Sequence, residues 1–202
     1  MAIKDYDGTT KYEIGKLRDY DGTTKYDIGK VYDNDGTTDS LIYTAVDEIV
    51  IVPNSSQYPS GAFTKFQNTG SGSGSASLSV SSSALQMNSG LYNGYAMNIG
   101  YYVRVTINGQ TKMDIVGSAA MQSGDTRYGS SFYVGLHNSL AYNSQILKGR
   151  QVYLKGGTST SFNTTVDISG LSGTYYLCIK QEGCDLMNYS GYINLTKLRL
   201  YD

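Results

Sequence analysis

The chain has 202 residues, 40% of them hydrophobic, which is enough for one packed core and a smaller additional segment. Twenty Tyr and 24 Gly with only two Pro favour half-buried strands joined by tight turns, so the composition predicts an all-β protein. A net charge of −1 provides no overall field for nucleic acid or an anionic membrane surface, and neither partner is predicted.

Charged residues are distributed unevenly along the chain. Residues 1–50 hold six Lys and Arg against eleven Asp and Glu, whereas residues 51–202 hold ten against six. This acidic head and mildly basic body predict two parts with different roles. The start, MAIKDYDG, has no basic segment followed by an apolar run, so neither a signal peptide nor a membrane span is predicted.

The head is a repeat. Residues 3–44 divide into three units of fourteen residues, IKDYDGTTKYEIGK, LRDYDGTTKYDIGK and VYDNDGTTDSLIYT. Each unit carries Asp-Gly, a pair that accepts positive φ and closes β-hairpins, and the first two carry Gly-Lys half a unit later. The pattern predicts a β-meander of short hairpins over residues 1–44.

Neither face of this predicted ribbon is continuously apolar. Narrow hairpins of this kind are marginal in water, so the repeat is expected to dock on another protein surface or on other copies of the chain. A homo-oligomer is predicted, with a trimer favoured because three-fold symmetry suits fibres. The predicted docking residues are Tyr6, Tyr12, Ile14, Tyr20, Tyr26, Ile28 and Tyr32.

The third unit also contains a weak calcium candidate. Asp33, Asp35 and Asp39 in DNDGTTD supply carboxylates around a turn, as a hard cation requires. An EF-hand loop needs Gly at the sixth position and a distal Glu, whereas Gly36 here is fourth. Turn chemistry is the favoured interpretation, and no cofactor is predicted.

The repeat resembles the short tyrosine-rich Asp-Gly-Thr repeats near the ends of structural proteins of bacteriophages and prophages of Firmicutes. The resemblance covers Ile3 to Tyr43. It implies a tail, fibre, baseplate or head-decoration component that joins other virion proteins in the host cytoplasm. It implies assembly into a particle and no catalysis.

The body begins with a predicted strand and a Ser/Gly-rich stretch. AVDEIVIVP, residues 45–53, is a β-branched run that ends at proline and predicts the first strand of a second domain. Residues 54–94 are rich in Ser and Gly and include GSGSGS, which by composition alone is typical of a linker. Hydrophobic alternation resumes over residues 78–87, so we interpret the stretch as a mobile loop inside a β domain and not as a linker between two domains.

The clearest local pattern is YYVRVTINGQTKMDIVG, residues 101–117. Apolar and polar residues alternate up to Ile107, Asn108-Gly109 follows, and alternation continues through Met113 and Ile115. This pattern predicts a β-hairpin with a tight turn at Asn108-Gly109.

Further predicted strands continue to the C-terminus and indicate an antiparallel β-sandwich, of jelly-roll type, over residues 45–202. They are Ser131–His137, Arg150–Lys155, Phe162–Ile168, Thr174–Lys180 and Tyr192–Tyr201. FNTTVDISGLSGTYYLCIK and YINLTKLRLY resemble the closing strands of jelly-roll carbohydrate-binding modules and of receptor-binding domains on phage tails. This resemblance implies the fold more than the role, since sandwiches carry many binding functions.

Catalytic chemistry finds little support in the sequence. His137 is the only histidine, at a predicted strand end with no identifiable partner, and a structural role is favoured. A glycosidase needs two carboxylates that flank one bond, and most carboxylates of the body lie near turns or strand edges, where solvated caps are the ordinary explanation. They are Asp114, Asp125, Asp167, Glu182, Asp185 and Asp202. No enzyme is predicted.

Cys178 and Cys184 lie six residues apart. The sequence predicts synthesis in the cytosol, where thiols stay reduced, so two buried thiols are favoured over a bridge. A disulfide across a strand end is the alternative.

Sugar binding has more support, because it needs aromatic faces beside amides and carboxylates in a shallow site. Three loop regions have this chemistry, and the alternative is that their Tyr pack core edges while Asn and Ser form turns. The candidate residues are Tyr92, Tyr95, Asn98, Asp125, Arg127, Tyr128, Asn138 and Tyr142.

The sequence thus predicts a non-enzymatic virion protein. Residues 1–44 are expected to anchor it, and the sandwich is expected to be exposed and to bind bacterial surface polysaccharide. The alternatives are a free carbohydrate-binding accessory module and, with less support, a glycan-degrading tail enzyme.

Overall fold

The computed structural model describes the backbone of six short strands between residues 3 and 44, together with residues 48–52, 58–68, 73–92, 97–124, 126–127, 129–139, 146–183 and 188–202. The chain divides into two compact units, residues 1–47 with Asp202, and residues 48–201. The predicted boundary between residues 44 and 45 lies close to this division. Within the described residues, no helix has the length and apolar character needed to cross a membrane.

The first unit contains three antiparallel hairpins. Their strands are β1 (Ile3–Tyr6) with β2 (Lys11–Ile14), β3 (Arg18–Tyr20) with β4 (Lys25–Asp27), and β5 (Lys30–Asn34) with β6 (Asp39–Thr44). The pairing register repeats with the sequence, because Asp5 faces Tyr12 in the first hairpin and Asp19 faces Tyr26 in the second. Strands flank each Asp-Gly as the repeat predicts. The described strands pair only within their own hairpin, so the three hairpins are separate two-stranded ribbons.

The second unit is an antiparallel β-sandwich. Its described strands are β7 (Ile49–Val52), β8 (Thr64–Asn68), β9 (Ser73–Val80), β10 (Leu85–Tyr92), β11 (Met97–Ile107), β12 (Lys112–Ser123), β13 (Gly129–His137), β14 (Lys148–Lys155), β15 (Ser159–Asp167), β16 (Gly173–Gly183) and β17 (Tyr189–Tyr201). Sheet A has the order β15-β12-β17-β10-β9, with β7 also paired to β17, and sheet B has the order β14-β13-β16-β11-β8. The predicted all-β fold with a sandwich is confirmed.

Strand alternation builds the core between the two sheets. Val105 and Ile107 of sheet B and Ile115 of sheet A are each at most 1% exposed and belong to one hydrophobic cluster. Burial of a side chain of this size contributes roughly 2 kcal/mol, so these inward rows dominate the stability of the unit. The Tyr101 hydroxyl also joins the sheets, since it donates a hydrogen bond of 3.1 Å to the Ala76 carbonyl.

The predicted hairpin at Asn108-Gly109 is wrong. Strand β11 belongs to sheet B, where it pairs with β16 and β8, and β12 belongs to sheet A, where it pairs with β15 and β17. Gly109 does adopt a positive φ of 97°, but the turn carries the chain across the core from one sheet to the other. Alternation shows which residues face a core, and it is identical whether two such strands pair or pack face to face.

The Ser/Gly-rich stretch also differs from its prediction. Instead of a loop, residues 73–92 form a hairpin in sheet A in which Leu78 faces Met87 and Val80 faces Leu85. A Ser81 to Ala84 backbone hydrogen bond of 2.8 Å closes the turn. Serines fill the solvent side of β9, so the serine-rich composition concealed a strand whose alternate residues pack on the core.

The remaining predicted strands are confirmed. Strand β7 matches the run before Pro53, and β13, β14, β16 and β17 contain their predicted segments with a few additional residues. Strand β15 covers the fifth segment except Ile168, because it ends at Asp167.

Candidate functional site

The side of sheet B that faces away from the core presents aromatic and polar side chains; we call it the B face. In β11 the buried Val103 and Val105 point inward, so Tyr102 and Arg104 point outward. The same alternation in β16 turns Leu177 and Ile179 inward and Tyr176 outward. The B face therefore follows from the period of the strands.

Three aromatic rings form a strip across neighbouring strands of the B face. Phe66 of β8 and Tyr102 of β11 have ring centroids 6.2 Å apart. Tyr102 and Tyr176 of β16 lie 5.3 Å apart, edge to face. All three rings are half-buried, so each keeps surface open to solvent. The exposed Arg104 places its guanidinium 5.5 Å from the centre of the Tyr176 ring and adds five hydrogen-bond donors beside the strip.

A second aromatic group lies nearer the β14 edge of the same face. The Lys180 ammonium sits 4.8 Å from the centre of the Tyr133 ring and 3.4 Å from Oε2 of Glu182. Tyr153 of β14 is 53% exposed, and the Gln151 amide donates a hydrogen bond of 3.0 Å to Oγ of Ser131. Aromatic surface and polar groups therefore occur on both halves of the B face.

Two potential nucleophilic or basic groups on this face are buried. Burial raises the pKa of the Cys178 thiol to about 12, so the neutral thiol persists at physiological pH. Cys178 is a free thiol in this structure, and Cys184 lies outside the described residues. His137, 1% exposed at the end of β13, is not presented to a ligand at the surface.

Asp114 and Glu182, two of the described carboxylates of the sandwich, do not form a catalytic pair. Asp114 points outward from sheet A and Glu182 points outward from sheet B, so the sandwich separates them and they cannot flank one bond. Asp167 accepts a hydrogen bond of 2.9 Å from the backbone N–H of Ser169, so its carboxylate caps the turn after β15, as expected for a carboxylate near a turn. Asp125 and Asp185 lie outside the described residues.

The predicted sugar-binding residues fall at both ends of the sandwich. Tyr92 ends β10, Asn98 lies at the start of β11, and Arg127 shortly precedes β13, all at one end. Asn138 follows β13, a strand of nine residues and roughly 30 Å, and so lies at the opposite end. Asn98 is 1% exposed, whereas the other three residues are exposed. Tyr95, Asp125, Tyr128 and Tyr142 lie outside the described residues.

The predicted docking and calcium residues belong to the first unit. The described strands of the hairpins contain Tyr6, Tyr12, Ile14, Tyr20, Tyr26 and Tyr32, whereas Ile28 lies outside the described residues. Asp33 and Asp39 lie on the facing strands β5 and β6, and Asp35 is outside the described part. Docking and calcium binding by these residues stay predictions.

Phe66, Tyr102 and Tyr176 are not among the sugar-binding residues predicted from the sequence, because those candidates were all taken from predicted loops. The relevant signal was present in β11, where Tyr102 and Arg104 occupy the polar positions of an alternating strand. Tyr176 occupies the equivalent position in TYYLCIK. An aromatic residue on the solvent side of two paired strands indicates a surface for contact more specifically than a loop tyrosine does.

No protein-family model matches the sequence, and a search of curated proteins finds no match. Among solved structures, similar folds include the family 11 carbohydrate-binding module of a cellulosomal cellulase of Clostridium thermocellum. It has a TM-score of 0.44 at 9% identity, with 78% of this chain and 96% of that chain covered.

A structure of the Clostridium thermocellum family 11 module in complex with a β-1,3-1,4-mixed-linked tetrasaccharide gives 0.45 at 9% identity, with 78% and 97% covered. A family 29 carbohydrate-binding module gives 0.38 at 11% identity, with 76% and 87% covered. Likeness of this degree assigns no function to the chain. The sandwich rests on the strand pairings described above, and function is argued from the chain's own side chains.

Proposed function

We propose that this protein binds a carbohydrate chain on the B face and does not cleave it. The single observation that carries the proposal is the strip of Phe66, Tyr102 and Tyr176, whose half-buried rings lie side by side on a sheet surface. Rings held in this way present apolar surface without the entropy cost of ordering a loop. The apolar faces of sugar rings stack on such a surface.

The polar groups around the strip suit the hydroxyl groups of a saccharide. Arg104 supplies donors beside Tyr176, and the Thr106 and Thr174 hydroxyls lie 3.1 Å apart on the adjacent positions. Gln151 and Glu182 supply an amide and a carboxylate toward the β14 side. A shallow site with aromatic surface and a few directed polar groups is the arrangement that orients a sugar chain.

The proposal gives the first unit a separate role as an anchor in a virion, as a tail, fibre or capsid-decoration component. Two observations support this assignment. Among the described strands, each hairpin is a two-stranded sheet with no third strand paired to it, and such a sheet is marginal in water without a partner surface. The repeat also resembles those of phage and prophage structural proteins over Ile3 to Tyr43. The sandwich would then contact polysaccharide on a bacterial surface.

A glycan array tests the carbohydrate proposal. The native chain is expected to bind one class of bacterial polysaccharide, and Tyr102→Ala with Tyr176→Ala is expected to lose that binding. Prolonged incubation with the same glycan should release no reducing ends. Absence of binding to every glycan on the array, or cleavage of a bound one, would refute the proposal.

Electron microscopy with labelled antibody tests the virion proposal on phage particles released from a host that carries the gene. Label should decorate particles at a fixed position. Protein found only free in the lysate would favour an accessory module.

A further inference from the structure

We propose that the outward side of sheet A carries a second, separate site, which binds a neutral mono- or disaccharide against Tyr92. This inference does not depend on the B face, because the two sheets turn their outward sides in opposite directions. A ligand of this size cannot touch Tyr92 and Tyr102 together.

Tyr92 is positioned as a platform by the residue two places before it. A Cβ atom on Gly90 would lie 3.0 Å from the Tyr92 hydroxyl and 3.3 Å from its Cζ, so the phenol ring leans back over Gly90. A side chain at this position would push the tip of the ring outward by a few tenths of an ångström. Tyr92 is nevertheless 46% exposed, one of the most exposed large hydrophobic side chains in the described residues. One side of the ring therefore lies against the backbone at Gly90, and the other side is open to solvent.

A depression of about 290 Å³ adjoins this ring. Its polar lining comes from four strands of sheet A: β9, β10, β12 and β17. The side chains that line it with Tyr92 are Ser75, Ser77, Asn88, Gln122 and Ser190. Its volume is near the lower end of the roughly 300–1,000 Å³ of ligand pockets, which suits one or two sugar rings.

The lining has hydrogen-bonding capacity to offer a ligand. The Gln86 side-chain amide donates a hydrogen bond of 3.0 Å to Oδ1 of Asn88. The Asn88 NH₂ group can then donate to a ligand. Ser75, Ser77 and Gln122 are solvent-exposed, and hydroxyl and amide groups both donate and accept hydrogen bonds. Vicinal hydroxyl groups, which also donate and accept, are the natural complement.

The described side chains that line the depression are neutral, which favours an uncharged ligand. The described residues that line the depression include no Lys, Arg, Asp or Glu, so this part of the lining offers neither a cation for a phosphate or uronate nor a carboxylate for an amine. A nucleotide or a charged peptide would lose its hydration there without a compensating ion pair. The combination of a flat aromatic ring with neutral amides and hydroxyls fits an uncharged sugar.

Backbone amide shifts of the ¹⁵N-labelled full-length chain test the inference. The probes are cellobiose, lactose and N,N′-diacetylchitobiose, with glucuronic acid and glucose 6-phosphate as charged comparisons. At least one neutral disaccharide should give saturable shifts at Ser75, Gly90 and Gln122. Tyr92→Ala should weaken this binding by on the order of tenfold, whereas Tyr92→Phe, which keeps the ring, should change it by about twofold or less.

Ser79→Ala is the matched control. Ser79 is an exposed serine on the same side of β9, faces Gln86, and lies outside the lining. It should leave the shifts unchanged. Shifts that persist in Tyr92→Ala, or no saturable shift at these amides with any neutral disaccharide, would overturn the inference. The amides of β11 and β16 report the B face in the same spectra, so failure of either site is seen separately.

Discussion

Asp114 shows at the scale of one residue how the solvent side of sheet A is held together. Its carboxylate accepts hydrogen bonds from Lys197 at 2.7 Å, Arg199 at 3.1 Å, Thr165 at 2.8 Å and Tyr201 at 3.0 Å. Burial alone would raise the pKa of Asp114, but these four donors outweigh it and hold the pKa well below its usual range. The carboxylate is a structural centre that links β12 to β15 and β17.

Asp114→Asn should therefore lower the free energy of unfolding at pH 7 by about 1–2 kcal/mol, because Lys197 and Arg199 lose their shared carboxylate. The loss is moderate because both cations are partly exposed and Arg199 keeps its ion pair with Glu48. Asp167→Asn is the control, since its side-chain oxygen still accepts from Ser169 and the residue is exposed. Denaturant titration should show a change of less than about 0.5 kcal/mol for the control. Equal effects of the two substitutions would contradict this role of Asp114.

The same carboxylate predicts a pH dependence. A carboxyl whose pKa is lowered by folding stabilises the native state fully above its unfolded pKa of about 4, and this stabilisation is lost as the pH falls toward the lowered value. The difference in unfolding free energy between the native chain and Asp114→Asn should thus be constant from pH 7 to about pH 5 and shrink below about pH 4. A difference that stays constant in acid would contradict the assignment.

Cys178 should be unreactive in the folded chain. Burial raises its pKa to about 12, so the thiolate that attacks alkylating agents is scarce at about pH 8 and is also shielded from the reagent. Peptide mapping after iodoacetamide treatment should find Cys178 unmodified in the native protein and modified after unfolding. Rapid modification under native conditions would show that this part of the B face opens to solvent.

At the scale of elements, the turn after β11 decides how the two sheets are connected. Gly109 adopts positive φ, and the Asn108 backbone N–H donates a hydrogen bond of 2.7 Å to Oε1 of the buried Gln110. Gly109→Ala should destabilise the sandwich by about 1 kcal/mol, because positive φ is strained for alanine. Gly61→Ala is the matched control, since its Cβ would meet open space. Thermal melts of both variants would test this, and equal midpoints would contradict it.

The positions of the strands were more predictable from the sequence than the pairing between strands. Alternation located β11, β12 and β13 to β17 because it reports which residues face the core. It could not assign β11 and β12 to different sheets, since strands that pair and strands that pack across a core share one pattern. The B face was missed for a related reason: Tyr102 and Tyr176 become neighbours only through the β11 to β16 register, which is long-range in sequence. Tyr92, by contrast, was a candidate because it stands beside Asn and Gly in a predicted loop region, and the structure places it at the end of β10.

At the scale of the whole molecule, the chain combines three thin hairpins with a sandwich that has its own core. Isolated two-stranded ribbons are marginal in water, so a fragment of residues 1–44 should be unfolded as a monomer. Residues 48–202 should unfold cooperatively on their own. Circular dichroism melts of the two fragments test this. A cooperative melt of the short fragment as a monomer would remove the physical reason for a docking role.

Calorimetric titration of paired variants is the decisive test of carbohydrate binding by the aromatic strip of the B face. A glycan identified on the array is titrated into the native chain, into Tyr102→Ala with Tyr176→Ala, and into Tyr102→Phe with Tyr176→Phe. The alanine pair should lose affinity by on the order of tenfold or more, and the phenylalanine pair, which keeps both rings, should change it by about threefold or less. Undiminished affinity of a folded alanine pair would contradict carbohydrate binding by this strip.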